Sequence, residues 1–200
     1  MTTLSPTGDG PLRVTVVVGS TREGRFGTTV SDWFVQEARQ HPDLAIDVLD
    51  LVDVALPDRL TGYGQPLPPE VTAVTPRLAS ADAFVVVTPE YNHSYPAPLK
   101  TLIDWHMEQW QAKPVAFVSY GGMSGGLRAV EHLRGVFAEL HAVTMRDTVS
   151  FHGAWARFDG DGRPIEAAEC AGAAKTMLDQ LVWWARALRD ARATRPYVTA

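Results

Sequence analysis

The sequence predicts an α/β fold built on a doubly wound parallel sheet. Three observations carry the prediction. Apolar runs alternate along the chain with helical patterns. Three of those runs, at residues 12–18, 83–88 and 114–119, are apolar almost throughout, as strands covered on both faces of a parallel sheet must be. Each of the three ends in a loop rich in glycine, proline or hydroxyl residues. The 200 residues suffice for one well-buried domain and not for two comfortable ones.

The bulk composition narrows the field. A formal net charge of -5 gives no reason to propose nucleic acid or an anionic membrane as partner. Cys170 is the only cysteine. It excludes an internal disulfide and a cysteine-based metal cluster, and it fits a reducing, cytoplasmic location. The histidines show no ligand spacing, so no metal is expected. Residues 1–10 are polar and lack an apolar core, which reads as a flexible tail and not a signal peptide. Residues 11–195 then form the single domain. No apolar stretch approaches the ~20 residues of a transmembrane helix.

The elements follow in order. Residues 12–18, bounded by Pro11 and Gly19, are a buried strand. Residues 28–39 are a helix, with Val30, Trp33, Phe34 and Ala38 on one face. His41-Pro42-Asp43 breaks it, and residues 44–51 alternate apolar and acidic residues like a strand near a sheet edge. Residues 57–69, rich in proline and glycine, are a surface loop. Residues 70–80 read as a helix that Pro76 disturbs. A strand at 83–88, a helix at 97–110, a strand at 114–119 and a helix at 123–140 follow. The last strand region is 142–151, a polar loop spans 152–164, and a long helix covers 167–192. About five parallel strands suit a three-layer, flavodoxin-like sandwich of strand order 2-1-3-4-5.

Such sheets bind ligands beyond the carboxyl ends of their strands, where the strand order reverses. The loop 19–27 there combines free helix N-terminal amides with Ser20, Thr21, Thr28 and Thr29 hydroxyls and the Arg22 and Arg25 guanidiniums. That mixture suits a phosphate, and equally a tight turn with solvated arginines. It matches neither G-x-G-x-x-G nor the P-loop pattern. The loop 88–100 offers Asn92 and Ser94 as hydrogen bonders, with Tyr91 and Tyr95 as planar walls, the chemistry of a site for a flat heteroaromatic ring. His93 reads as an acid–base group or as a loop imidazole. The loop 119–126 has glycines that admit close backbone approach or simply serve a turn. Arg128 stands ready for an anion, or for Glu131 or Glu139.

Gly19-Ser20-Thr21-Arg22, the segment Thr88-Pro89-Glu90-Tyr91-Asn92-His93-Ser94-Tyr95-Pro96 with Leu99-Lys100, and Ser119-Tyr120-Gly121-Gly122 with Ser124-Gly125-Gly126 together resemble the NADPH-dependent FMN reductase family. That flavodoxin-like group includes quinone, chromate and azo-dye reductases. The resemblance implies that Ser20, Arg22, Gly27, Thr28 and Thr29 hold the FMN phosphate. It implies that Pro89, Glu90, Tyr91 and Asn92 line the isoalloxazine edge, with Ser94 nearby, and that Ser119, Tyr120, Gly121 and Gly122 contact the ring's other side. It further implies FMN as cofactor, NADPH or NADH as co-substrate and a small acceptor such as a flavin or quinone. No catalytic side chain is needed, because flavin N5 carries the chemistry. A homodimer or homotetramer is implied too, with 102–110 and Trp183-Trp184 as interface candidates that read equally as core. Two rivals stand beside this reading. One is a flavodoxin-like electron carrier without NAD(P)H turnover, for which the charge of -5 is mild. The other is a non-catalytic domain on the same fold.

Overall fold

A computed structural model describes residues 10–62 and 64–198. The expected N-terminal tail, apart from Gly10, lies outside the described residues. Six strands form one sheet in the order β2-β1-β3-β4-β5, and β6 also pairs with β4. They are β1 (Leu12–Val18), β2 (Leu44–Asp50), β3 (Ala83–Pro89), β4 (Pro114–Gly121), β5 (Val143–Thr144) and β6 (Val149–His152). Every pairing is parallel. The helices are α1 (Gly27–Arg39), α2 (Pro69–Ser80), α3 (Ala97–Trp105), α4 (Leu127–Glu139) and α5 (Ala167–Thr194).

Period-two geometry divides the strand side chains between two cores. Val14, Val16, Val85, Val87, Ala116 and Val118 pack under α1 and α5. Val17, Phe84, Val86, Val115 and Phe117 pack with residues of α2, α3 and α4. This is the doubly wound, flavodoxin-like arrangement that the sequence predicts, and the predicted strand order holds.

Three boundaries differ by several residues from the sequence reading, each for a physical reason. The fifth strand position is filled by two short strands in series. At the break, Arg134 of α4 donates to the Met145 carbonyl at 2.6 Å and to the Arg146 carbonyl at 3.2 Å, satisfying groups that the sheet leaves unpaired. The helix expected over 97–110 stops at Trp105. His106 turns extended and its Nδ1 lies 2.9 Å from the Leu102 carbonyl oxygen; a separate short turn then carries Trp110 into the core. The helix expected from 123 begins at Leu127, because Gly125 and Gly126 have φ of +62° and +88°, outside helical space. Pro76 does lie inside α2. Both Pro76 and Thr72, whose carbonyl loses its donor, are exposed, so the lost bond falls on the solvent side of α2. Of the interface candidates, Leu102, Ile103, Trp105 and Trp110 are buried in this chain, whereas Trp183 is 64 % exposed.

Candidate functional site

The loops after β1, β3 and β4 meet at the carboxyl edge of the sheet around one cleft of ≈ 350 Å³. Arg22 to Phe26 form one side, Pro89, Glu90 and Tyr91 another, and Tyr120, Gly121 and Gly122 a third. Trp155 completes the lining.

The two arginines of the first loop part company. Arg25 makes a paired contact with Asp50 at the end of β2, at 2.6 and 2.5 Å, and also donates to the Ser20 carbonyl. The hydrogen bonds to the Asp50 carboxylate raise its pKa. Arg25 is therefore a strut that fixes the loop to the neighbouring strand, neither a solvated side chain nor an available anion fork. Arg22 is exposed and makes no ion pair among the described residues. The first turn of α1 contains no acidic residue, and the leading amides of a helix have no intrahelical acceptor. Arg22 thus stands near an electropositive helix start.

Beneath the cleft, Ser20 is fully buried. Its hydroxyl lies 2.7 Å from the Tyr91 hydroxyl and links the first loop to the second. Gly27 packs closely against Tyr120: a Cβ there would stand 2.6 Å from the Tyr120 hydroxyl. Burial, and next the neighbouring Tyr91, push the Tyr120 phenol up, so it remains a neutral hydrogen-bonding group.

The second loop turns tightly. Tyr91 and Ser94 exchange backbone hydrogen bonds at 2.8 and 3.1 Å, and both central residues are left-handed, Asn92 at φ 49° and His93 at φ 73°. Asn92 and His93 are exposed at the tip, outside the cleft lining. The Ser94 hydroxyl faces His132 of α4 at 3.0 Å. Glu90 points to the third loop. Its carboxylate accepts from Ser124 and from Arg128 at 3.1 Å. Burial works against the charge, but these two donors together hold the pKa below the ordinary value. Arg128 is therefore paired with Glu90, not with Glu131 or Glu139; Glu131 pairs with Arg134.

In the third loop, Ser119 is fully buried and donates to the Gly125 carbonyl at 2.8 Å. Its hydroxyl anchors the loop from behind. Gly126 packs so closely that a Cβ would lie 2.7 Å from the Ser119 Cβ. Gly122 differs: its Cβ direction is open space, which leaves the backbone approachable from the cleft.

Seven of the residues implied by the resemblance line the cleft: Arg22, Pro89, Glu90, Tyr91, Tyr120, Gly121 and Gly122. Ser20, Gly27 and Ser119 support it from behind. Thr28 and Thr29 lie in the first turn of α1, and Asn92 and Ser94 in the turn beyond Tyr91. The sequence reading overlooked Asp50 and Trp155. Trp155 follows β6, and the preference for strand carboxyl ends was the available signal.

The sheet order and the strand-end cleft define a flavodoxin-like fold with a ligand site at the carboxyl ends of its strands. A family model described as NADPH-dependent FMN reductase matches residues 12–156, and the chain belongs to that family. A curated NADPH:quinone oxidoreductase of Arabidopsis thaliana is 32 % identical over 162 residues, covering 78 % of this chain and 83 % of its own. A 2-hydroxy-1,4-benzoquinone reductase of a Burkholderia species is 31 % identical over 183 residues, covering 88 % and 97 %. The solved flavoenzyme NAD(P)H:(acceptor) oxidoreductase of Paracoccus denitrificans superposes with a TM-score of 0.71 at 24 % identity, covering 86 % of this chain and 98 % of that one. The residues present fit FMN. An unpaired arginine stands near the start of α1, and the Gly122 backbone and the Tyr91 and Tyr120 rings share one cleft. No helix among the described residues is long and apolar enough to cross a membrane.

Proposed function

We propose that this chain uses FMN to pass electrons from NADPH or NADH to a small quinone-type acceptor. The observation that carries the reading is the convergence of three strand-end loops on one cleft, with Arg22 uncommitted at its edge. FMN held there would supply the two-electron redox chemistry. The protein supplies binding and orientation. Arg22, the Gly27, Thr28 and Thr29 amides and the Thr28 and Thr29 hydroxyls hold the phosphate, while Ser20, fully buried with its hydroxyl 2.7 Å from the Tyr91 hydroxyl, braces the loop from behind and does not take the phosphate role that the resemblance implies. Pro89, Glu90, Tyr91 and Tyr120 bound the ring, with Asn92 and Ser94 shaping the turn behind Tyr91. The Gly121 and Gly122 backbones, which line the cleft, would supply fixed amide donors to the ring. The Glu90–Arg128 pair ties the second loop to α4 and keeps the cleft walls at a set spacing. A quinone is the favoured acceptor because the Arabidopsis and Burkholderia relatives bear quinone-reductase names. A homodimer or homotetramer, the assembly that the resemblance implies, belongs to the same reading.

The test is an anaerobic titration of the FMN-loaded protein. NADPH should bleach the visible flavin absorption and a benzoquinone should restore it. A flavin that stays oxidised under excess NADPH and NADH, while dithionite reduces it cleanly, would mark an electron carrier instead.

A further inference from the structure

Trp155 carries an inference that rests on the proposed function and goes beyond it. It occupies a short turn, Ala154–Ala156, directly after β6. The turn is held firmly. The Gly153 amide donates to the Gly122 carbonyl at 2.8 Å, and the Ala156 amide donates to the Gly153 carbonyl at 2.9 Å. Ala154 is fully buried. A fixed backbone thus presents an indole that is 67 % exposed, and this indole lines the same cleft as Tyr91 and Gly122.

One exposed tryptophan on a surface is ordinary, so the comparison with Trp183 matters. Trp183 is equally exposed, but its ring meets Trp184 with centroids 5.1 Å apart, and it lies on α5. Among the described residues no aromatic ring stacks on Trp155. The cleft volume of ≈ 350 Å³ falls at the low end of the range of about 300–1,000 Å³ for ligand sites. A reactant that approaches a ligand held in this cleft meets the exposed indole in its lining.

We propose that Trp155 determines specificity for the second reactant: its indole is the wall against which a planar aromatic electron acceptor stacks. A flat ring against the indole removes apolar surface of both from water and adds an offset-stacked contact. A compact, highly charged acceptor gains nothing from that wall.

The test compares a planar acceptor, 1,4-naphthoquinone, with ferricyanide on the FMN-loaded protein. In Trp155→Ala the ratio of kcat/KM for naphthoquinone to that for ferricyanide should fall about tenfold, mainly through the naphthoquinone KM. Trp155→Phe should keep the ratio within about threefold of wild type. Trp183→Ala, the control for losing any exposed tryptophan, should leave it unchanged. A second readout needs no turnover: quenching of tryptophan fluorescence by naphthoquinone should give a Kd about tenfold weaker in Trp155→Ala, followed on the remaining tryptophans. An unchanged ratio and an unchanged Kd would overturn the proposal. So would an FMN affinity lowered tenfold in apoprotein titrations, which would place Trp155 on the cofactor. A wild-type protein that binds naphthoquinone in a Trp155-dependent way yet oxidises neither NADPH nor NADH would refute the function and leave this contact standing.

Discussion

Arg22 and Arg25 lie three positions apart and have opposite fates. Arg25 is closed into a pair with Asp50 at 2.6 and 2.5 Å, its side chain only 10 % exposed. Arg22 is open to solvent. The difference was not legible in the sequence, because the deciding partner lies in β2, twenty-five positions from Arg25, and only the parallel pairing of β1 with β2 brings it near. The two side chains should therefore fail differently. Arg22→Ala should weaken FMN binding about tenfold to hundredfold, the scale of a charged hydrogen bond, with no change in melting temperature. Asp50→Ala should lower stability first, by about 2–3 kcal/mol, since it leaves a largely buried guanidinium without its counter-charge. Flavin-quenching titrations beside urea denaturation separate the two effects. An Asp50→Ala protein of unchanged stability would mean that Arg25 is not the strut described here.

At the scale of elements, the buried strands, their order and the three strand-end loops were legible, because a parallel sheet covered on both faces leaves a continuous apolar signature. The helix starts were less so. Residues 123–126 read as the start of the helix whose apolar spacing runs from Leu127, but the close approach of Gly126 to Ser119 is a tertiary fact with no local signal. The start of α1 depends on a similar contact. A Cβ on Gly27 would sit 2.6 Å from the Tyr120 hydroxyl but 3.6 Å from the ring carbon that bears it. Only the oxygen is in the way. Gly27→Ala should thus destabilise the protein by about 1–3 kcal/mol through overpacking. In the Tyr120→Phe background the same change should be nearly neutral. A double-mutant cycle measures this as a coupling energy of about 1 kcal/mol or more. Additive effects would show that the strain lies elsewhere.

Across the whole molecule, the sheet separates a ligand-binding edge from a stability-bearing edge. Lys113 precedes β4 at the amino end, about 26 Å of strand away from Gly121. Its ammonium donates to the Leu78 and Ala79 carbonyls at the end of α2, at 2.9 and 3.0 Å. Burial, and then the positive charge of Arg192, push its pKa down from 10.5 to about 8. The folded state therefore releases this proton near pH 8, while the unfolded chain holds it to about pH 10.5. Between these values the unfolded state binds more protons, so this group makes stability rise with pH. Cys170 and Tyr120, whose pKa values are raised chiefly by burial, act in the opposite direction at and above their ordinary values. The wild-type curve alone is thus a composite, and the difference between wild type and Lys113→Met isolates the lysine. That difference should favour the wild type progressively between about pH 8 and 10, by at most about 3 kcal/mol. Because the cleft is at the other edge, FMN affinity at pH 7 should stay within about twofold in the same variant. Parallel denaturation curves across that pH range would show that the two carbonyls hold the ammonium charged against its burial. A large loss of FMN affinity would show instead that the two edges of the sheet are coupled.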